Sequence, residues 1–165
     1  NFAGHDLVRA QWEADKRHFL GLVAEQHQYH LLSRLPELEV IPAARELGLG
    51  FVTYSPLAGG MLGENALKRL SGSRGENRHY SEAMIKTLTD FADFCRELGE
   101  KQSDVAMAWI LKNPVVTSPL IGPRTPEHLD NILHALDVKL DDSAMKRLDE
   151  IFPGPGGEAP DSYAW

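Results

Sequence analysis

Three short segments carry the residues that could do chemistry, and two of them suit a nucleotide. "TYSPLAGG", residues 53–60, sets an aromatic, a hydroxyl and two glycines after the apolar pair Phe51-Val52. Tyr54 offers a stacking face there, and the small residues let backbone approach a phosphate closely. "IGPRTPEHLDN", residues 121–131, makes a Gly122-Pro123 turn, then presents Arg124, then starts a helix. Thr125 is its N-cap, Pro126 its first helical residue and Glu127 an acid in the first turn. A helix N-terminus with free N–H groups beside an arginine fork binds phosphate; the same residues also suit a solvated arginine ahead of a capped helix. The third segment, "EQHQYH" at 25–30, holds His27 and His30 three apart. Both would have to face one way on an extended segment to hold a metal, and no metal site is read there. The sequence has no G-x-S-x-G elbow, no Walker A loop and no G-x-G-x-x-G after a strand.

The elements that must position these segments alternate in type. Residues 5–17 have helical spacing, with Leu7, Val8, Gln11 and Trp12 on one face, and "FLGLVAEQ", 19–26, reads as a buried strand. A helix over 37–47 follows, with Pro42 in its first turn and Gly48 as its left-handed cap. "GFVTYS" is the second strand, and 61–80 has no clear period and reads as a long loop. Ser81 and Ser103 are expected to cap two helices, the first ended by Gly99 and the second by Pro114. "VVTSPLIG", 115–122, is the third strand. The helix after Thr125 is expected to bury Leu129, Ile132, Leu133 and Leu136. A last helix spans about 141–151, and 152–165 is a Gly/Pro-rich tail bearing Trp165. Strands interleaved with helices imply an α/β fold with a parallel sheet, whose ligands bind at strand C-termini. Three strands cannot close a barrel, so the sheet is either small and open or completed by strands from elsewhere.

Composition narrows the partners. The 165 residues carry a net charge of −7, with 42% hydrophobic and 25% charged content, as in a globular protein. No basic tract offers a nucleic-acid footprint, and no apolar run is long enough to span a bilayer. Cys95 is the single cysteine, which excludes an internal disulfide and implies a reducing, cytoplasmic setting. The first residue is Asn1, as expected of a processed chain or a piece of a longer one.

"SPLAGG", "EQHQY", "VAMAWIL", "VTSPLIGPRTPEHL" and "LDEIFPGPGGEAPDSYAW" together resemble the C-terminal half of an aldo-keto reductase, over residues 1–165. The resemblance implies a (β/α)8 TIM barrel, of which this chain holds strands six to eight. It also implies NADP(H) as cofactor and an aldehyde or ketone carbonyl as substrate. Asn1 and Gln26 are similar to the residues that hydrogen-bond the nicotinamide carboxamide, and Tyr54 to the aromatic that stacks on its ring. Ser55, Pro56, Leu57, Ala58, Gly59 and Gly60 align with the pyrophosphate loop. Gly122 and Arg124 align with the 2′-phosphate site, and His128 and Asn131 with the adenine contacts. Departures accompany these: Glu64 stands near the family's lysine, Arg74 is expected to supply part of that charge, and Ile132 replaces an asparagine. The family's catalytic tetrad falls on the first four strands, before Asn1. No catalytic residue is therefore assigned, and the N-terminal half, on the same or a separate chain, is the implied partner. A non-catalytic NADP(H)-sensing subunit of the same fold is the alternative.

Overall fold

The computed structural model describes residues 1–71 and 80–156; Arg74 and Trp165 lie outside them. Among the described residues, three strands form one parallel sheet in the order β1 (Ala24–Gln28), β2 (Gly50–Tyr54), β3 (Val116–Pro119). The register sets Gln26 beside Val52 and Gln28 beside Tyr54. Between β2 and β3 it slips by one at Thr117, whose Oγ1 accepts the Phe51 N–H at 3.1 Å. That hydroxyl supplies the acceptor the bulge removes from the ladder. These three strands do not close a barrel.

Helices flank the sheet, with α2 against β2 and α5 against β3. They are α1 (Gly4–Lys16), α2 (Val40–Glu46), α3 (Ala66–Ser71), α4 (Glu82–Leu98), α5 (Gln102–Lys112), α6 (Pro126–Leu133) and α7 (Asp142–Ile151). Glu25, Phe51 and Thr53 are buried, among a core that includes Leu7, Ile41, Phe91, Val105, Trp109 and Leu148. Each such large apolar side chain contributes about 1.5–3 kcal/mol by leaving water. Alternate strand residues point the other way, where Gln26 and Gln28 are exposed and Val52 and Tyr54 are half-buried. Arg34 ties the far ends of the chain together. It donates to Glu37 at 2.8 and 3.0 Å, to Asp149 at 2.6 Å and to the Phe152 carbonyl at 2.7 Å, and lies over Trp109.

Several expectations hold locally. Ser81 and Thr125 accept the N–H groups of Met84 and His128 as N-caps, and Gly48 and Gly99 end helices with φ of 65° and 74°. Others do not. The first strand starts at Ala24, not at 19, and Phe19, Leu20 and Val23 are exposed rather than buried. Gln11 explains this: its side chain accepts the Leu22 N–H at 3.1 Å and donates to the Leu20 carbonyl at 3.4 Å. The held segment turns at Gly21, where φ is 78° and a Cβ would come within 2.4 Å of the Gln11 amide. Glycine is the residue this turn admits. The third strand, 115–122 by sequence, is limited to Val116–Pro119, and the second helix is shortened to Val40–Glu46 behind a tight turn at Leu35–Glu37. Within the expected 61–80 loop, Ala66–Ser71 is helical. Trp12 is 61% exposed under Lys16, so helical spacing on α1 marks Leu7 for the core but not its neighbour across the turn.

Candidate functional site

The mouths of β2 and β3 open into one cavity of about 740 Å³. Ser55, Pro56, Leu57, Gly59 and Gly60 form one wall; Gly122, Pro123, His128, Asn131 and Ile132 form another. The size is that of a small-molecule site. Eight residues selected from the sequence thus meet in one place, drawn from two loops some sixty residues apart.

Local backbone makes the first wall. Ser55 and Ala58 hold φ of 55° and 50°, and Gly59 and Gly60 follow at 65° and 92°. Side chains other than glycine enter that region at a cost of order 1 kcal/mol each, and such outliers gather at ligand sites. The result is a tight Ala58–Gly60 turn that presents main chain to the cavity. At Gly59 and at Gly122 nothing lies within 4 Å of where a Cβ would sit. The turn is closed by its own main chain, with the Ala58 N–H donating to the Ser55 carbonyl and the Gly60 N–H to the Leu57 carbonyl, both at 2.8 Å, and it faces the first turn of α6 across the cavity.

Asn1 and Tyr54 fall elsewhere, in a second cavity of about 490 Å³ that also involves His27 and Gln28. Tyr54 and Ser55 are adjacent, so the left-handed turn at Ser55 separates the two cavities. Gln26 is exposed on β1. The buried Glu25 carboxylate accepts the Phe2 N–H at 2.9 Å. Ala58 shapes the turn without lining either cavity, and Arg124 is exposed at the rim.

Sequence reasoning missed the floor of the larger cavity. Lys101, Ser103 and Asp104 line it together with Glu64. Ser103 is not the cap of α5: the helix begins at Gln102, with Lys101 in the N-cap position and no side-chain bond from it. Glu64 serves instead, accepting from Ser103 Oγ at 2.7 Å and from its N–H at 3.3 Å. Burial acts to raise the Glu64 pKa, and the Ser103 bonds outweigh it, leaving the carboxyl below its ordinary value. Lys101, one position ahead of a helix of continuous apolar character, was the legible signal. The positions selected to carry the buried face of α6 behave differently from the expectation. Leu129, Leu133 and Leu136 are exposed, and Ile132 turns to the cavity.

Tyr29 is not available as a proton donor. Its hydroxyl donates to Glu37 at 2.9 Å and accepts from Asn113 at 3.3 Å, and burial above all pushes its pKa far up.

The family model for the aldo/keto reductase family matches residues 2–152. This chain belongs to the aldo/keto reductase family. An "Uncharacterized oxidoreductase YrpG" of Bacillus subtilis (strain 168) is 55% identical to it over 166 residues, which is 100% of this chain and 51% of that protein. "Aldo-keto reductase AMT2" of Alternaria alternata is 29% identical over 90% of this chain and 41% of its own. A "Probable voltage-gated potassium channel subunit beta" of Oryza sativa subsp. japonica is 30% identical over 83% of this chain and 45% of its own. The aldo/keto reductase chain thus spans about half the length of the curated relatives it matches. Among its described residues, no helix is long and apolar enough to cross a membrane.

Proposed function

We propose that this chain is the cofactor-holding C-terminal half of an NADPH-dependent reductase of aldehydes and ketones. The observation that carries the reading is the single cavity in which the Ser55–Gly60 turn faces Gly122 and the first turn of α6. The residues fit the cofactor. The main chain of Ser55 to Gly60 and the N-terminus of α6 would hold the pyrophosphate, and Arg124 the 2′-phosphate. His128 and Asn131 would flank the adenine, while Tyr54, with Asn1 and Gln26, would face the nicotinamide across the second cavity. Bound NADPH supplies a hydride to the carbonyl carbon; this chain's residues bind and orient. The proton for the carbonyl oxygen requires an acid tuned by a neighbouring cation, and buried Tyr29 is no such acid. That group, and most substrate contacts, belong to the N-terminal half of the barrel.

Titration with NADPH followed by intrinsic fluorescence is expected to saturate, with no loss of nicotinamide absorbance on adding an aromatic aldehyde. A flat titration overturns the cofactor assignment, and steady oxidation by the chain alone overturns the division of labour. The similarity to proteins named as potassium channel beta subunits favours a second reading, a non-catalytic NADP(H)-sensing subunit. Turnover by the chain combined with the first half of the barrel separates the two, since a sensor binds without oxidising.

A further inference from the structure

At the start of α5, three elements bring metal-ligating groups together. Glu100 follows Gly99, whose left-handed turn ends α4; Asp104 lies in the first turn of α5; His134 follows the end of α6. One donor atom from each lies within 4.8 Å of the other two. His134 Nε2 and Glu100 Oε2 are already 2.9 Å apart.

The second observation is independent of that clustering. Asp104 is 1% exposed, its Oδ2 has no hydrogen-bond partner, and its Oδ1 lies 3.4 Å from the Ser103 hydroxyl, whose proton is directed to the closer Glu64 at 2.7 Å. A buried carboxylate oxygen without a partner is destabilising. A helix-start aspartate ordinarily avoids this by accepting a free N–H of its own first turn. Here Glu64 has taken the Ser103 N–H, and Asp104 is left to another partner.

We propose that Glu100, Asp104 and His134 form a binding site for a divalent transition-metal cation of the zinc class. One imidazole nitrogen and two carboxylate oxygens are borderline donors that Zn²⁺ and Co²⁺ accept, and three protein ligands leave a position for water. Ligands on one such ion stand about 2.0–2.2 Å from it, so two of them at a tetrahedral angle are roughly 3.5 Å apart. The three donor atoms, within 4.8 Å of one another, reach that spacing by side-chain rotation of Glu100 and the half-exposed His134. A bound cation gives the orphaned Asp104 oxygen its partner and replaces the His134–Glu100 hydrogen bond. It also pins the start of α5, whose Asp104 lines the larger cavity.

Calorimetric titration with Zn²⁺ is expected to show one ion per chain, and Co²⁺ to give visible absorption in the same stoichiometry. His134→Gln and Asp104→Asn should each weaken Zn²⁺ binding at least tenfold. His134 is half-exposed, so its replacement leaves the fold intact, and circular dichroism checks Asp104→Asn. His5 on α1, beside Asp6 and the Glu39 that precedes α2, is the rival, and His5→Gln should leave the titration unchanged. No binding up to about 1 mM, or binding that survives His134→Gln, overturns the site.

Discussion

Glu64 and Ser103, thirty-nine residues apart, are joined at both donors of the serine: hydroxyl to carboxylate at 2.7 Å and N–H to the same oxygen at 3.3 Å. A side chain from the loop after β2 therefore satisfies a free N–H at the start of α5, a position where Lys101 has no acceptor to offer. The bond does two things at once. It fixes the loop to the helix, and it holds an ionised carboxylate in the wall of a cavity proposed to take a pyrophosphate.

Charge and hydrogen bond separate in Glu64→Gln, which keeps an acceptor oxygen for Ser103. The substitution should tighten NADPH binding by roughly three- to tenfold at low salt, with the gain shrinking as ionic strength rises. Glu64→Ala removes both and should also lower stability by about 1 kcal/mol, the usual cost of a lost cap. Fluorescence titrations at two salt concentrations and a urea melt measure these effects; an unchanged affinity in Glu64→Gln would place the phosphates away from this wall.

Arg124 poses a different question, because its neighbours Gly122 and Pro123 line the cavity while it stands at the rim. A rim guanidinium suits the terminal 2′-phosphate rather than the pyrophosphate. Arg124→Ala is expected to weaken NADPH binding about 10- to 100-fold, the worth of one charge-assisted fork, and NADH binding by less than about twofold. Equal losses for both nucleotides would remove Arg124 from that role.

Locally determined features were legible in the chain. The Ser81 and Thr125 caps, the left-handed glycines at 48 and 99, and three parallel strands each follow from a few adjacent residues. What escaped depends on contacts distant in sequence. Apolar spacing in "FLGLVAEQ" reads as strand, yet Gln11 from the preceding helix binds Leu20 and Leu22 and imposes a turn at Gly21. Ser103 has the right chemistry for a cap, but Glu64 supplies that acceptor from another loop. Spacing on α6 identifies Leu129 and Leu133 as one face without saying what covers it, and both are exposed. For the site, residue types at the two strand mouths sufficed to select its walls, whereas Lys101 and Asp104 joined it only through the placement of α5.

His30 makes the fold's response to acid testable. It is 3% exposed, the Gln28 side-chain amide lies 3.1 Å from Nε2, and Nδ1 has no partner. With the amide donating to Nε2, the neutral ring carries its proton on Nδ1. Burial disfavours the imidazolium and brings the pKa down from 6.5 to about 4. The unfolded chain therefore takes up this proton near pH 6.5 and the folded chain only near pH 4. Between those values the unfolded state binds more protons, so stability falls as the pH drops through that window. For this group the loss amounts to roughly 2–3 kcal/mol between pH 7.5 and 4.5. Urea denaturation of the protein and of His30→Gln at both pH values isolates it, since the carboxylates contribute to both in common. The protein should lose roughly 2–3 kcal/mol more than His30→Gln on acidification; equal losses would show that His30 protonates as readily folded as unfolded.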